Sequence, residues 1–270
     1  MMQDKMNRLK EILREMDSVV VAFSGGVDST FLLKVAIDEL GRDKVLAVTA
    51  DSETYPESEL NEAIELAKWM NARHKVLETS ELAIPGYKEN DKNRCYFCKK
   101  GLFDEVLPIL KETNYNNIVY GLIADDMGEH RPGTQAAREY GVRGPLQEAE
   151  LYKEEIRELS KSLKIPNWNK PSFACLSSRI AYGEEITQAK LTKVEKSEEY
   201  LKSLGLKQIR VRTHGQIARI EVEPDDMNLV MQYNEDISRE LISYGYKFVT
   251  LDLMGYKSGS MNKEISKVNS

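Results

Sequence analysis

Cysteine, histidine, long apolar runs and an excess of positive charge are all scarce in this chain of 270 residues. No apolar run approaches the roughly 20 residues that a membrane helix needs, so no membrane partner is expected. The opening MMQDKMNRLKEILREM reads as an amphipathic helix and not as a secretion signal, which points to a cytoplasmic protein. Three cysteines, an odd number without a signal, exclude a disulfide framework. Only His74, His130 and His214 are present, and none sits at ligand spacing, which disfavours zinc held by three cysteines and a histidine. Lysine and arginine number 38 against 44 acidic residues, a net charge of −6 and a pI near 5.4. Nucleic-acid enzymes draw most of their affinity from phosphate contacts, so this balance favours a small substrate over RNA. Two nucleotide motifs are missing as well. There is no G-x-x-x-x-G-K-[ST], and no G-x-G-x-x-G follows the first strand, so neither the common P-loop nor a dinucleotide fold is indicated.

What is present starts at residue 18, in SVVVAFSGGVDST. The apolar run Val19 to Phe23 has the composition of a buried parallel strand. It empties into Ser24-Gly25-Gly26-Val27-Asp28-Ser29-Thr30 and then into a helical stretch from Phe31. Two glycines let backbone N–H groups close on a phosphate, and the helix dipole favours negative charge there. Ser24, Ser29 and Thr30 add hydroxyls, and Asp28 suits the Mg²⁺ that accompanies a polyphosphate.

Strand and helix alternate up to about residue 165. A second strand, Val45 to Ala50, ends in Asp51-Ser52; a helix covers about Pro56 to Met70; a third strand lies near His74 to Leu77. Cys95-Tyr96-Phe97-Cys98 opens a helix running to Lys111, and Asn117 to Gly121 forms a fourth strand. A polar loop with Asp125, Asp126, His130 and Arg131-Pro132-Gly133 follows. This rhythm predicts an α/β fold, a doubly wound parallel sheet with ligands at the carboxyl ends of its strands. The Gly25 turn, Ser52 and the Asp126 loop all fall at such ends. Near residue 180 the pattern changes to helix, hairpin (Gln208 to Thr213, Ile217 to Val222), a helix to about Tyr244, and a strand Lys247 to Leu251. We therefore expect two domains, 1–183 and a small C-terminal α+β domain 184–270. Arg210 and Arg212 share one strand face; such a pair is by default a solvated face.

S-G-G-x-D-S-[ST] after a first strand resembles the pyrophosphate loop of the ATP-pyrophosphatase (PP-loop) superfamily, which splits ATP into AMP and pyrophosphate. Over nearly the whole chain the resemblance narrows to the LarE family. SGGVDST carries it, with the Asp-Asp loop into Arg131-Pro132-Gly133 and Asn167-Trp168-Asn169-Lys170 leading to Ser177-Ser178-Arg179 and Tyr182-Gly183. So do Val211-Arg212, Ala218-Arg219-Ile220-Glu221 and Thr250-Leu251-Asp252-Leu253.

The resemblance implies an ATP-dependent sulfur transferase. It would adenylate a carboxylate of pyridinium-3,5-biscarboxylic acid mononucleotide and replace AMP by sulfur, serving the nickel-pincer nucleotide cofactor of lactate racemase. It also implies ATP at Ser24, Gly25, Gly26, Asp28, Ser29, Thr30 and Ser52, substrate phosphate at Arg210 and Arg212, roles in catalysis for Asp28, Asp126, Arg179 and Cys175, and a homo-oligomer. Glu198 and Glu221 are lesser acidic candidates. Cys95, Cys98 and Cys175 match a subgroup whose three cysteines resemble a [4Fe–4S] site with one iron open for sulfide. The other subgroup sacrifices one cysteine, whose position falls on Ala174. Sacrifice of Cys175 and a tRNA thiolase of the same superfamily remain the alternatives.

Overall fold

The computed structural model describes residues 2–127 and 132–257; His130 and Arg131 of the polar loop lie outside them. The chain divides into two compact units, formed by the described parts of Met1–Ser80 with Cys95–Phe173 and of Glu81–Arg94 with Ala174–Ser270.

In the first unit, α1 (Met2–Met16) leads into β1 (Val19–Ala22), then α2 (Val27–Leu40), β2 (Val45–Asp51), α3 (Glu57–Trp69), β3 (Arg73–Glu78), α4 (Arg94–Glu112) and β4 (Asn117–Tyr120). α5 (Pro132–Glu139), α6 (Pro145–Glu148) and α7 (Lys153–Ser162) complete it. The strands order as β3-β2-β1-β4, every pair parallel, with Val19 registered between Val45 and Asn117. β1 is central, so both of its faces must be apolar. Val19 and Val21 join one core with Phe31, Leu32, Leu33 and Leu13, while Val20 joins another with Val48, Phe103 and Val106. Each such fully buried side chain contributes about 1.5–3 kcal/mol. The two cores are the two helical layers of a doubly wound sheet, as the alternating pattern predicts.

In the second unit, α8 (Gln188–Ser203) starts at Thr187, whose hydroxyl accepts from the Lys190 N–H at 3.3 Å as an N-cap. It packs on the hairpin β5 (Ile209–His214) and β6 (Ile217–Val222). The expected single helix before the last strand is two, α9 (Met227–Gln232) and α10 (Asn234–Ser243), broken at Tyr233 with φ −102° and ψ 20°. β7 (Phe248–Leu251) adds parallel to β6, giving the order β5-β6-β7.

The segment 81–94 has no periodicity of its own and is held by polar bonds. Asn90 Nδ2 donates to the carbonyls of Ile180, Ala181 and Glu184, Tyr87 OH donates to Ser177 Oγ at 2.8 Å, and Arg94 donates to the Ser177 carbonyl at 3.0 Å.

Candidate active site

The glycine loop occupies the turn between β1 and α2. Gly25 has φ +63°, a conformation that favours glycine, and a Cβ there would lie 2.9 Å from the Ala63 Cβ. Gly26 caps α2 with extended backbone, and its carbonyl accepts from Thr30 Oγ1 at 2.8 Å and Ser29 Oγ at 3.1 Å. Ser24 Oγ and Ser29 Oγ are 3.2 Å apart. At the end of β4, Gly121 comes so close to α2 that a Cβ would sit 2.9 Å from the Ser29 nitrogen. Glycines at these two places thus allow α3 and the end of β4 to pack closely on the loop and the first turn of α2.

Other segments brace the loop from outside. Asn167 Nδ2 donates to the Gly25 carbonyl at 2.8 Å and to Thr30 Oγ1 at 3.1 Å, while its buried Oδ1 has no partner. Tyr55 OH donates to the Ser24 carbonyl at 2.8 Å. Lys170 bridges Glu59 and Glu62 of α3 at 2.7 Å each, tying the 167–170 segment down. Sequence reasoning placed Asn167 and Lys170 in a motif without a role. Ser52 lies just past β2, its carbonyl accepting from the Tyr55 N–H at 3.0 Å.

Asp28 is mostly buried, and burial pushes its carboxyl above the usual carboxylate range. Nearby Asp126 pushes the same way, while Lys153 and Arg157 pull back. Both Asp28 oxygens accept from Lys153 Nζ, at 2.8 and 2.7 Å. Lys153 had no place in the sequence reading. Asp126 Oδ2 accepts from the Ile123 N–H at 3.1 Å, and Asp125 Oδ2 from the Lys153 N–H at 2.7 Å. Asp28 and Asp126 lie close enough to feel each other's charge, and carboxylate oxygens are the donor type that Mg²⁺ takes, so these are the residues that would hold it.

In the second unit the arginines are not on a solvated face. Arg210 is 8% exposed and Arg212 5%, because the strand is covered on both faces. That corrects the default expectation for this strand. Arg212 donates to Glu221 at 3.0 and 2.9 Å and to the Ser178 carbonyl at 3.1 Å. Arg210 lies 5.2 Å from the Tyr256 ring centroid and donates to the Ile209 carbonyl. Its pKa is lowered by burial first and by the Arg179 charge next. Arg179 itself is 1% exposed; it pairs with Glu198 at 2.9 and 3.0 Å and donates to the carbonyls of Ala174 and Cys175. In this placement it fixes the backbone of Cys175. Burial opposes the Glu198 charge, but Arg179, Arg210 and the Val211 N–H outweigh it and hold the carboxyl below its ordinary range. Among the described residues, Arg179 pairs with Glu198, Arg212 and Arg219 pair with Glu221, and Arg219 also reaches Asp252.

None of the three cysteines is in a disulfide. Cys95 is exposed and Cys98 partly so, within the first five residues of α4, where the C-x-x-C reading expected a helix to open. Cys175 is partly buried in the second unit. Among the described residues, no group of three or more His, Cys, Asp or Glu side chains is gathered as a metal-ion site. The three thiolates fit an iron–sulfur cluster in kind only.

A family model described as NAD synthase matches residues 1–95, the span that carries the glycine loop. The chain is 43% identical to an uncharacterized protein of Synechocystis, over 99% of this chain and all of that one. It is 38% identical to the pyridinium-3,5-bisthiocarboxylic acid mononucleotide synthase of Lactiplantibacillus plantarum, over 94% of this chain and 92% of that one. The chain belongs to the LarE family. An uncharacterized protein of Methanocaldococcus jannaschii is 32% identical over 93% of this chain and 95% of its own length. As a LarE-family member built on a PP-loop domain, the protein is an ATP-dependent enzyme. No helix among the described residues is long and apolar enough to cross a membrane.

Proposed function

We propose that this protein is a cytoplasmic sulfur transferase that converts a carboxylate of pyridinium-3,5-biscarboxylic acid mononucleotide into a thiocarboxylate at the expense of ATP. The observation that carries the reading is the end-to-end similarity to the Lactiplantibacillus plantarum synthase, in a chain whose glycine loop leads into the N-terminus of α2.

The chemistry follows from the weak electrophilicity of a carboxylate. A substrate carboxylate oxygen attacks the α-phosphorus, the bond from that phosphorus to the bridging oxygen breaks, and pyrophosphate leaves with the electron pair. A sulfur nucleophile then adds to the acyl carbon, and AMP departs with the electrons of the C–O bond. The Gly25 and Gly26 amides and the hydroxyls of Ser24, Ser29 and Thr30 are assigned to the phosphates, and Ser52 to the nucleoside side. Mg²⁺ on Asp28 and Asp126 would supply charge neutralisation at the pyrophosphate. Arg210 and Arg212 are assigned to the substrate phosphate; two buried guanidinium groups on one strand support that role. Arg179 acts by holding Cys175 in place.

Cys95, Cys98 and Cys175 would be the ligands of an iron–sulfur cluster, and such a group would supply sulfide as the sulfur source. Its support is compositional: every cysteine in the chain belongs to the set, and the helix dipole of α4 favours thiolate at Cys95 and Cys98. Sacrifice of Cys175 is the competing source, favoured by the three hydrogen bonds to its carbonyl from Ser178 and Arg179. The net charge of −6 counts against a tRNA acceptor.

The deciding experiment incubates anaerobically purified protein with ATP and the mononucleotide. AMP, pyrophosphate and thiocarboxylate are then measured with and without sulfide, alongside iron content and intact mass. Equal AMP and thiocarboxylate over many turnovers with added sulfide supports the cluster. One turnover, with loss of the mass of H₂S from the protein, assigns the sulfur to Cys175. ADP as product, or tRNA as a better acceptor, sinks the reading.

A further inference from the structure

A cavity of about 200 Å³ lies at the carboxyl end of β4, lined by residues of the first unit. The residues after α5 extend the sheet there. Val119 and Arg143 form a parallel bridge, with the Arg143 N–H donating to the Ile118 carbonyl at 3.0 Å and the Tyr120 N–H to the Arg143 carbonyl at 3.1 Å. Carboxyl ends of neighbouring parallel strands are where α/β sheets take their ligands. Leu122, Ala137 and Val142 give the cavity apolar walls, and Arg138, Tyr120 and Gln147 bring polar groups to it.

Those polar groups have no other employment. Among the described residues, the side chains of Arg138, Tyr120 and Gln147 make no hydrogen bond, and Arg138 makes no ion pair. Arg143, the other guanidinium of the lining, is already neutralised, since its Nε and Nη2 donate to the two oxygens of Glu148. Arg138 is therefore the cation left to meet a ligand. Burial pushes the Tyr120 hydroxyl up to about 12, with Asp126 adding to the rise and Arg138 opposing it, so the phenol keeps its proton and can donate. Asp126 also lines the cavity, and its charge reaches Asp28 beside the glycine loop.

Size narrows the ligand. A dry cavity of about 150 Å³ already holds a benzene ring, whereas a drug-sized ligand needs about 300 Å³ or more. This one takes a single substituted six-membered ring and not a whole nucleotide. Apolar walls suit the ring. One unpaired guanidinium with two neutral hydrogen-bonding groups suits one carboxylate.

We infer that this cavity seats the acceptor's aromatic ring, with Arg138 holding the carboxylate that is not being activated. The two carboxylates of a 3,5-substituted ring are meta to each other, so one can stay on Arg138 while the other reacts. Arg138 then selects rings that carry the second carboxylate. The inference rests on the reading that the acceptor is a pyridinium biscarboxylate.

Calorimetry on nucleotide-free protein compares two mononucleotides with the same ribose phosphate. One is pyridinium-3,5-biscarboxylic acid mononucleotide; the other is nicotinamide mononucleotide, whose ring has no carboxylate. Wild type should bind the first about tenfold more tightly or better. R138Q should weaken the first about tenfold, the lower end for a charged hydrogen bond, and leave the second unchanged. Arg138 is exposed, so the thermal melt of R138Q should match wild type. R138K should keep part of the affinity, and Q147E, which sets a like charge beside the carboxylate, should weaken the first mononucleotide as well. In turnover, R138Q should raise the KM for the biscarboxylate more than it lowers kcat. An equal loss for both mononucleotides would place Arg138 on the phosphate, and no loss for either would leave the cavity without this ligand; both results overturn the proposal. If wild type binds the biscarboxylate through Arg138 yet forms no thiocarboxylate, the proposed function has failed and the carboxylate site stands.

Discussion

Removing the Glu198 carboxylate tests how the second unit is held and what it does. Arg179 is 1% exposed, and its Nε and Nη2 donate to the two Glu198 oxygens at 2.9 and 3.0 Å. Glu198 Oε1 also accepts from the Val211 N–H of β5 at 3.0 Å. Glu198→Ala leaves a buried guanidinium without its counter-charge, a loss of about 3–5 kcal/mol. The orphaned Val211 N–H adds about 1 kcal/mol. Glu198→Gln still offers one acceptor oxygen and should lie at the lower end of that range. Glu199→Ala, one residue on and exposed, should stay within about 0.5 kcal/mol of wild type.

Urea unfolding should be followed by circular dichroism. Trp69 and Trp168 both lie in the first unit, so tryptophan emission is blind to a loss confined to the second. The pH dependence has a definite sign. The folded Glu198 carboxyl sits below its unfolded value of about 4.3, so its stabilisation is complete above that pH. It is lost as pH falls through the lower folded pKa, and Glu198→Gln should flatten that acid limb. The variant should also loosen Cys175, whose carbonyl accepts from Arg179 at 2.8 Å, and slow sulfur transfer more than pyrophosphate release. A Glu198→Ala protein within about 1 kcal/mol of wild type would refute the reasoning, because no buried charge would then depend on the pair.

Three further outcomes are expected. Gly25→Ala forces a left-handed conformation costing about 1–2 kcal/mol and drives a methyl group against Ala63, so ATP binding by calorimetry should be lost. Asp28→Asn should abolish pyrophosphate release with the thermal melt preserved; ADP in place of AMP would show that the loop does different chemistry. Arg210→Ala should weaken mononucleotide binding by about 1–3 kcal/mol with ATP affinity unchanged, and tight, salt-sensitive tRNA binding by the wild type would redirect the assignment to RNA.

The strand–loop–helix, the parallel character of the first sheet and the β5–β6 hairpin were legible in the sequence because each is written locally. Apolar runs alternate with amphipathic stretches, and glycines mark the turns. What escaped was written at a distance. Segment 81–94 has no apolar period, and only Tyr87, Asn90 and Arg94 bonding to residues 177–184 give it a place. Arg210 and Arg212 alternate with Ile209 and Val211 as on an amphipathic strand; burial of both faces depends on partners that periodicity cannot see. Lys153 had one signal, a lysine at the start of a helix whose dipole disfavours it.

That division of the chain bears on the chemistry. The residues assigned to ATP cleavage, Ser24 to Thr30 and Asp126, belong to the first unit, while Arg210, Arg212, Glu198 and Cys175 belong to the second. Adenylation and sulfur transfer should therefore come apart under mutation. A fold-intact Glu198→Gln or Arg210→Ala protein must still exchange labelled pyrophosphate into ATP when the acceptor is saturating, because the loop, its brace at Asn167 and its carboxylates are untouched. Asp28→Asn must lose that exchange and yet bind the mononucleotide normally. If Arg210→Ala loses exchange even at saturating acceptor, the buried arginines act on the transferring phosphate itself and not on the acceptor's own, and the roles of the two units must be redrawn.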